Sequence, residues 1–221
     1  MEYRFLKSFK INSDFGSLLS VDISSYADDT DFNNLIEEIM NEIVDSVQRG
    51  QFPDYFWIKG ISNKKKYSIC KDIIGLIKEL YPTQKIGMNL NCALFQDENL
   101  RNYLYKCDLV AINLNSIELL NFSKINKCPE SANPIEILDG IKEFRRNFDG
   151  NLGIYILFIR GVNDNTKTLE HLKKYLLELM PDHCSISNYV LNGFKPITDK
   201  FKLVLKESLK DLPFKVIYTF N

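Results

Sequence analysis

FGSLLSVDISSYADDTDFNNL, residues 15–35, carries the decision about fold. Its first part, SLLSVDI, is apolar and partly alternating, as in a strand with a buried face. A polar turn follows. Then DFNNLIEEIMNEIVDSVQRG, residues 31–50, sets Phe32, Leu35, Ile36, Ile39, Ile43, Val44 and Val47 on one helical face, with Gly50 placed as a C-cap. Strand, loop and amphipathic helix make a βα unit. In α/β proteins the loop after such a strand is where chemistry is usually kept. This loop holds Ser24, Ser25, Tyr26, Asp28 and Asp29, and no cysteine or histidine.

The same alternation extends to the end of the chain. Strands are predicted at 17–24, 55–60, 85–90, 109–115, 152–160, 183–190 and 214–220, all short and rich in β-branched or aromatic residues. Helical periods lie between them at 31–50, 66–82, 96–106, 133–150, 165–181 and 196–213. Strands alternating with helices imply parallel βα units. Six or seven such units fall short of a closed eight-stranded barrel. The expected class is α/β, a partial open (βα)6-type TIM barrel with a mostly parallel sheet; a doubly wound sheet is the alternative. No linker interrupts the pattern, so residues 1–221 read as a single domain, with 196–220 readable as an extension.

Of the 221 residues, 45% are hydrophobic and 26% charged, and the net charge is −1. That composition buries a core and exerts no bulk pull on nucleic acid or anionic membrane. The short run NKKKY (63–67) reads as a solvated helix start. No segment approaches the roughly 20 apolar residues of a membrane span, and MEYRFLKSFKINSDF lacks the apolar centre of a signal peptide. The expected compartment is cytoplasmic, with no membrane partner. Cys70, Cys92, Cys107, Cys128 and Cys184 are spaced irregularly, without the CxxC or CxxxC separation of a local metal site.

Three stretches carry more than periodicity: KIGMNLNCALFQDENLRNYLYKCDLVAI (85–112), INLNSIELLNFSKINKCP (112–129) and ILDGIKEFRRNFDGNLGIYILFIRGVNDN (137–165). Together they resemble the radical S-adenosylmethionine (radical SAM) superfamily, in the branch of stand-alone iron–sulfur oxidoreductases related to wyosine-synthesis enzymes. The resemblance runs from about residue 15 to about residue 190. It implies the partial barrel already expected, and a [4Fe–4S] cluster held by a CxxxCxxC loop after the first strand. FGSLLSVDI resembles the family's lead-in to that loop, yet the chain continues SSYADDTDF and enters a helix. The resemblance therefore implies a lost cluster site.

Other family positions have changed in the same direction. The G-x-G-E-P turn corresponds to WIKGISN (57–63), which keeps Gly60 and has Ile61 or Ser62 where the carboxylate would be. T-N-G-T corresponds to Leu90, Asn91 and Cys92, S-L-D to Asn113, Leu114 and Asn115, and a strand acid to Tyr155. Amides donate and accept hydrogen bonds but exchange no protons near neutral pH, so they suit binding better than acid–base work.

Candidate ligand-binding residues at the barrel mouth are Ser24, Lys59, Gly60, Asn91, Asn113, Asn115, Arg160, Asn163, Asp164 and Asn188, with Asn89 beside them. Each has a plain alternative: Lys59 and Arg160 as solvated charges, Asn163 or Asp164 as a helix N-cap, Cys92 as a small buried residue, and Trp57 with its aromatic neighbours as core. His171 and His183 read as surface or helix-end histidines. No catalytic or metal-binding residue is assigned. The expected function is a catalytically degenerate radical-SAM-like protein, a binding, scaffold or accessory subunit beside an active radical SAM enzyme or its peptide or RNA substrate. No cofactor is expected on this reading. The alternative is a cluster-free enzyme binding S-adenosylmethionine or another nucleotide at the barrel mouth.

Overall fold

The computed structural model describes residues 5–10, 16–24, 32–188 and 195–220, and of residues 7–10 and 32 the backbone alone. Ser25, Tyr26, Asp28 and Asp29 lie outside the described residues. The chain divides into two compact units, Met1–Leu90 with Cys107–Leu109, and Asn91–Lys106 with Val110–Asn221.

In the first unit, β1 (Leu6–Lys10) pairs antiparallel with β2 (Ser17–Asp22). The sequence reading did not anticipate β1. Helix α1 (Phe32–Gln48) leads to β3 (Tyr55–Ile61), then α2 (Lys64–Leu80) to β4 (Lys85–Asn91). The pairs β2–β3 and β3–β4 are parallel. Helix α2 starts where Asn63 accepts the Lys66 amide at 2.9 Å, leaving fewer unpaired donors in the first turn. Its Ile69, Ile73 and Ile77, four residues apart, are all buried. In α1 the buried stripe is Leu35, Ile39, Met40 and Ile43, while Ile36, Val44 and Val47 are half-buried.

The second unit begins with a 3-10 turn (Cys92–Gln96) and α3 (Glu98–Leu104). Then come β5 (Leu109–Asn113), α4 (Phe122–Asn126), α5 (Pro134–Asn147), β6 (Asn151–Phe158), α6 (Thr166–Leu179), β7 (His183–Asn188), α7 (Asp199–Leu209) and β8 (Lys215–Phe220). The pairs β6–β7 and β7–β8 are parallel.

Strand order follows chain order within each unit. A doubly wound sheet needs a reversal of that order; parallel crossovers of one hand that never reverse put the helices on one face. The fold class is α/β, of the partial-barrel kind. The predicted strands are all present, and several end earlier than expected at the carboxyl side: β2 at Asp22, β5 at Asn113 and β6 at Phe158; residues 189–190 of the last-but-one predicted strand lie outside the described residues. After β2 and β6 the next amides turn to side-chain oxygens, Ser24 to Asp22 and Ile159 to Asn163. Among the described residues no helix is long and apolar enough to cross a membrane.

One helix contact in the second unit is unusually close. Gly140 of α5 faces the 3-10 turn, and a Cβ built on it would lie 2.1 Å from the Phe95 carbonyl oxygen. The same carbonyl accepts from Arg101 Nη1 at 2.7 Å, and Arg101 Nη2 reaches Glu143 at 2.8 Å. Phe95 and Phe144 meet edge to face with ring centroids 5.3 Å apart. Glycine inside a helix ordinarily costs about 1 kcal/mol against alanine. Here Gly140→Ala is expected to destabilise by about 1–3 kcal/mol, the cost of overpacking. Denaturant unfolding checks this; an unchanged or raised midpoint would mean that α5 shifts freely.

Candidate ligand-binding site

In the first unit, the carboxyl ends of β2 and β3 bring Ser24, Lys59 and Gly60 together. The Ser24 amide donates to Asp22 Oδ1 at 2.9 Å, and the Ser24 carbonyl accepts from Lys66 Nζ at 2.9 Å. Lys59 Nζ lies 3.2 Å from Asp22 Oδ2. Burial raises the Asp22 pKa, but the Ser24 hydrogen bonds and Lys59 outweigh it and hold the carboxyl below its usual value. Gly60 has φ +88°, and a Cβ there would sit 2.3 Å from the Ser24 amide nitrogen. Glycine is therefore required at that turn by backbone angle and by space. The residues form a tied corner in which Lys59 already has an anionic partner.

The second unit holds a cavity of about 260 Å³ lined by Asn91, Asn113, Asn115 and Asn126, with Lys127, Tyr155 and Ser187. Strand alternation explains the lining. On β6, Tyr155 and Leu157 are half-buried while Ile154, Ile156 and Phe158 are buried; on β7, Ser185 and Ser187 are half-buried while Cys184, Ile186 and Asn188 are buried. Register pairs Tyr155 with Ser185 and Leu157 with Ser187, so these side chains share one face. Asn188 falls on the other face with Cys184 and Ile186, and does not line the cavity.

A second factor sorts the amides: what each already binds. Asn126, 1% exposed, is the hub. Its Oδ1 accepts the Asn115 amide at 2.6 Å and the Ser116 amide at 3.2 Å, and its Nδ2 donates to the Ser116 carbonyl at 2.7 Å. Its own carbonyl accepts from Asn91 Nδ2 at 2.7 Å. Asn91 Oδ1 caps the 3-10 turn through the Ala93 amide at 2.8 Å. Asn115 Oδ1 accepts the Leu157 amide at 2.8 Å. Asn163, fully buried, accepts the Ile159 amide at 2.7 Å and donates to the Asn115 and Leu157 carbonyls, both at 2.8 Å. These amides fix the loop after β5 against the end of β6. Asn115 also lines the cavity.

Asp164 Oδ1 accepts the Gly161 amide, and the N-cap of α6 is Asn165, which accepts the Thr168 amide at 2.9 Å. Arg160 is exposed just after β6 and does not line the cavity. Lys127 was not singled out from sequence. It is the C-cap of α4, held at φ 53°, a left-handed conformation that non-glycine residues adopt infrequently. Asn126 was also missed, although it stands inside the FSKINKCP stretch that carried the resemblance. Burial pushes the Tyr155 phenol up to about 12, so it stays a neutral hydrogen-bonding group.

His171 is exposed on α6 beside Glu118, as expected of a surface histidine. His183 is not a surface residue: it is 3% exposed, and its ring occupies the space over Gly153, where a Cβ would lie 2.4 Å from the imidazole.

Cys70, Cys92, Cys107 and Cys184 are buried and Cys128 is half-buried. No three His, Cys, Asp or Glu side chains among the described residues converge on one point.

No protein-family model matches the chain. A Helicobacter pylori protein described as a UPF0026 protein is 27% identical over 145 residues, covering 65% of this chain and 47% of that protein. The chain spans about half the length of the curated relatives it matches. Among solved structures, a radical SAM methyltransferase from Sphaerobacter thermophilus superposes with TM-score 0.65 at 10% identity, over 97% of this chain and 77% of that one. A queuine lyase from Clostridium spiroforme bound to SAM and queuine gives TM-score 0.57 at 13% identity, over 97% of this chain and 95% of that one. At these identities the likeness is one of fold.

Proposed function

We propose that this chain is a radical-SAM-like domain without a [4Fe–4S] cluster, and that it works by binding. Its ligand seats in the cavity of the second unit, and it serves as an accessory or scaffold subunit, with an active radical SAM enzyme or that enzyme's peptide or RNA substrate as partner. One observation carries the reading. The position that resembles the family's cysteine loop has no cysteine, while the cavity is lined by amides, hydroxyls and one ammonium. Neither an amide nor a phenol held at about 12 moves protons near pH 7. At about 260 Å³ the cavity is small for a ligand pocket, commonly about 300–1,000 Å³. It suits one end of a ligand, a carboxylate or amide met by Lys127, Asn115 and Ser187. That chemistry also keeps open a cluster-free site for the amino-acid end of S-adenosylmethionine.

The test is anaerobic reconstitution with iron and sulfide, followed by metal analysis, the visible spectrum near 400 nm and calorimetric titration of S-adenosylmethionine. A colourless, iron-free protein is expected. Stoichiometric iron with absorbance would overturn the reading. Iron-free binding of S-adenosylmethionine that Lys127→Ala weakens about tenfold would assign the cavity to the nucleotide. Turnover on that complex would replace a binding role by an enzymatic one.

A further inference from the structure

Beside the cavity, and separate from the binding role just proposed, two thiols meet. Asn91 Oδ1 lies 3.8 Å from Cys92 Sγ and 4.0 Å from Cys128 Sγ. The segments that carry them are fixed to each other: Asn91 Nδ2 donates to the Asn126 carbonyl at 2.7 Å, and the Cys128 amide donates to the Ser123 carbonyl at 2.8 Å. Both thiols thus reach the same amide oxygen. Cys92 is wholly buried and Cys128 is half-buried.

We propose that Cys92 and Cys128 form a two-thiol reaction site for small hydroperoxides, with Cys128 as the attacking sulfur and Cys92 as the resolving one. The asymmetry of the pair sets these roles. The neighbouring Cys128, together with burial, pushes the Cys92 thiol up, while the neighbouring Cys92 brings the Cys128 thiol down. The sulfur with solvent access, Cys128, is also the one whose thiol is lowered.

In the first step the Cys128 thiolate attacks a peroxide oxygen. A sulfur–oxygen bond forms and the oxygen–oxygen bond breaks. The departing alkoxide or hydroxide takes a proton from water, and Cys128 becomes a sulfenic acid, oxidised by two electrons. In the second step Cys92 sulfur attacks Cys128 sulfur. The disulfide forms, the sulfur–oxygen bond breaks, and the hydroxyl leaves with the Cys92 proton as water. Two thiols and one hydroperoxide thus give a disulfide, an alcohol (water, for hydrogen peroxide) and water. The sulfurs must close to about 2.05 Å, so the half-exposed Cys128 side chain has to rotate toward Cys92.

The remaining cysteines offer no competition. Burial pushes the Cys70 and Cys184 thiols far up, and Cys107 up to about 12. Buried, protonated thiols react slowly.

The experiment exposes the folded full chain to hydrogen peroxide, removes the peroxide, unfolds the chain in denaturant with an alkylating reagent to block the remaining thiols, and reads the intact mass and the digest. The expected result is three alkylated thiols, with one cross-linked peptide pair carrying Cys92 and Cys128. Cys92→Ser should stop at a sulfenic acid that dimedone captures at Cys128, and Cys128→Ser should leave Cys92 reduced. The wild-type measurement stands without either variant if one fails to fold. Five alkylated thiols after exposure, a disulfide between any other pair, or oxidation of Cys92 in Cys128→Ser at the wild-type rate would overturn the proposal.

Discussion

Asn126→Leu is expected to lower folding stability by about 3 kcal/mol or more. Leucine fills nearly the same volume but leaves the Asn115 and Ser116 amides and the Ser116 carbonyl without their partner. Each buried polar group stranded in this way costs about 1–3 kcal/mol, far more than the net gain from an average hydrogen bond. Because Asn126 is 1% exposed, water cannot readily replace the lost contacts. The loop after β5 carries Asn115 into the cavity, so ligand binding should fall along with stability. Denaturant titration of both proteins reads the effect. A loss below about 1 kcal/mol would mean that the loop finds other partners, and that the hub role is wrong.

Stability should also fall as pH drops from about 6.5 to about 4, by up to about 3 kcal/mol from His183 alone. Burial depresses the His183 pKa to about 4; Asp182 opposes the shift and Lys215 adds to it. The unfolded chain therefore takes up a proton at His183 through this range while the folded chain does not. Stability from this residue is complete above the unfolded value and is lost progressively as pH falls to the folded one. Carboxylates titrate in the lower part of the same range, so the comparison that isolates the histidine is with His183→Phe. That variant keeps a ring over Gly153 and cannot be protonated. Its stability should change less between pH 7 and pH 4.5 than that of the wild type. Parallel curves for the two proteins would exclude His183 as the cause.

His183 shows where reading a sequence stops short. As the first residue of β7 it sits at a polar boundary, and a histidine there is usually solvated. Its burial follows from Gly153, which lies opposite it in the β6–β7 register and leaves room for the ring. Gly153 and His183 look unrelated in the chain. Lys127 was passed over for a similar reason. Its neighbourhood reads as an ordinary basic loop, and only the left-handed cap of α4 turns it toward the cavity.

The sequence by itself determined the order of the strands from β2 to β8 and of the longer helices between them, the mostly parallel α/β class and the absence of a cysteine loop after SLLSVDI. Those features depend on local periodicity, turn residues and the residue types present, all of which are written along the chain. Tertiary structure alone decided which asparagines serve the cavity and which brace the backbone. Asn91, Asn113 and Asn115 reach the cavity, whereas Asn163 is consumed by carbonyls of β6 and its neighbouring loop, and Asn188 falls on the buried face of β7. The physical reason is range. The partner that occupies each amide lies as far as 35, 42 or 48 residues away, and a side chain's free hydrogen-bonding capacity is known only when that partner has been placed.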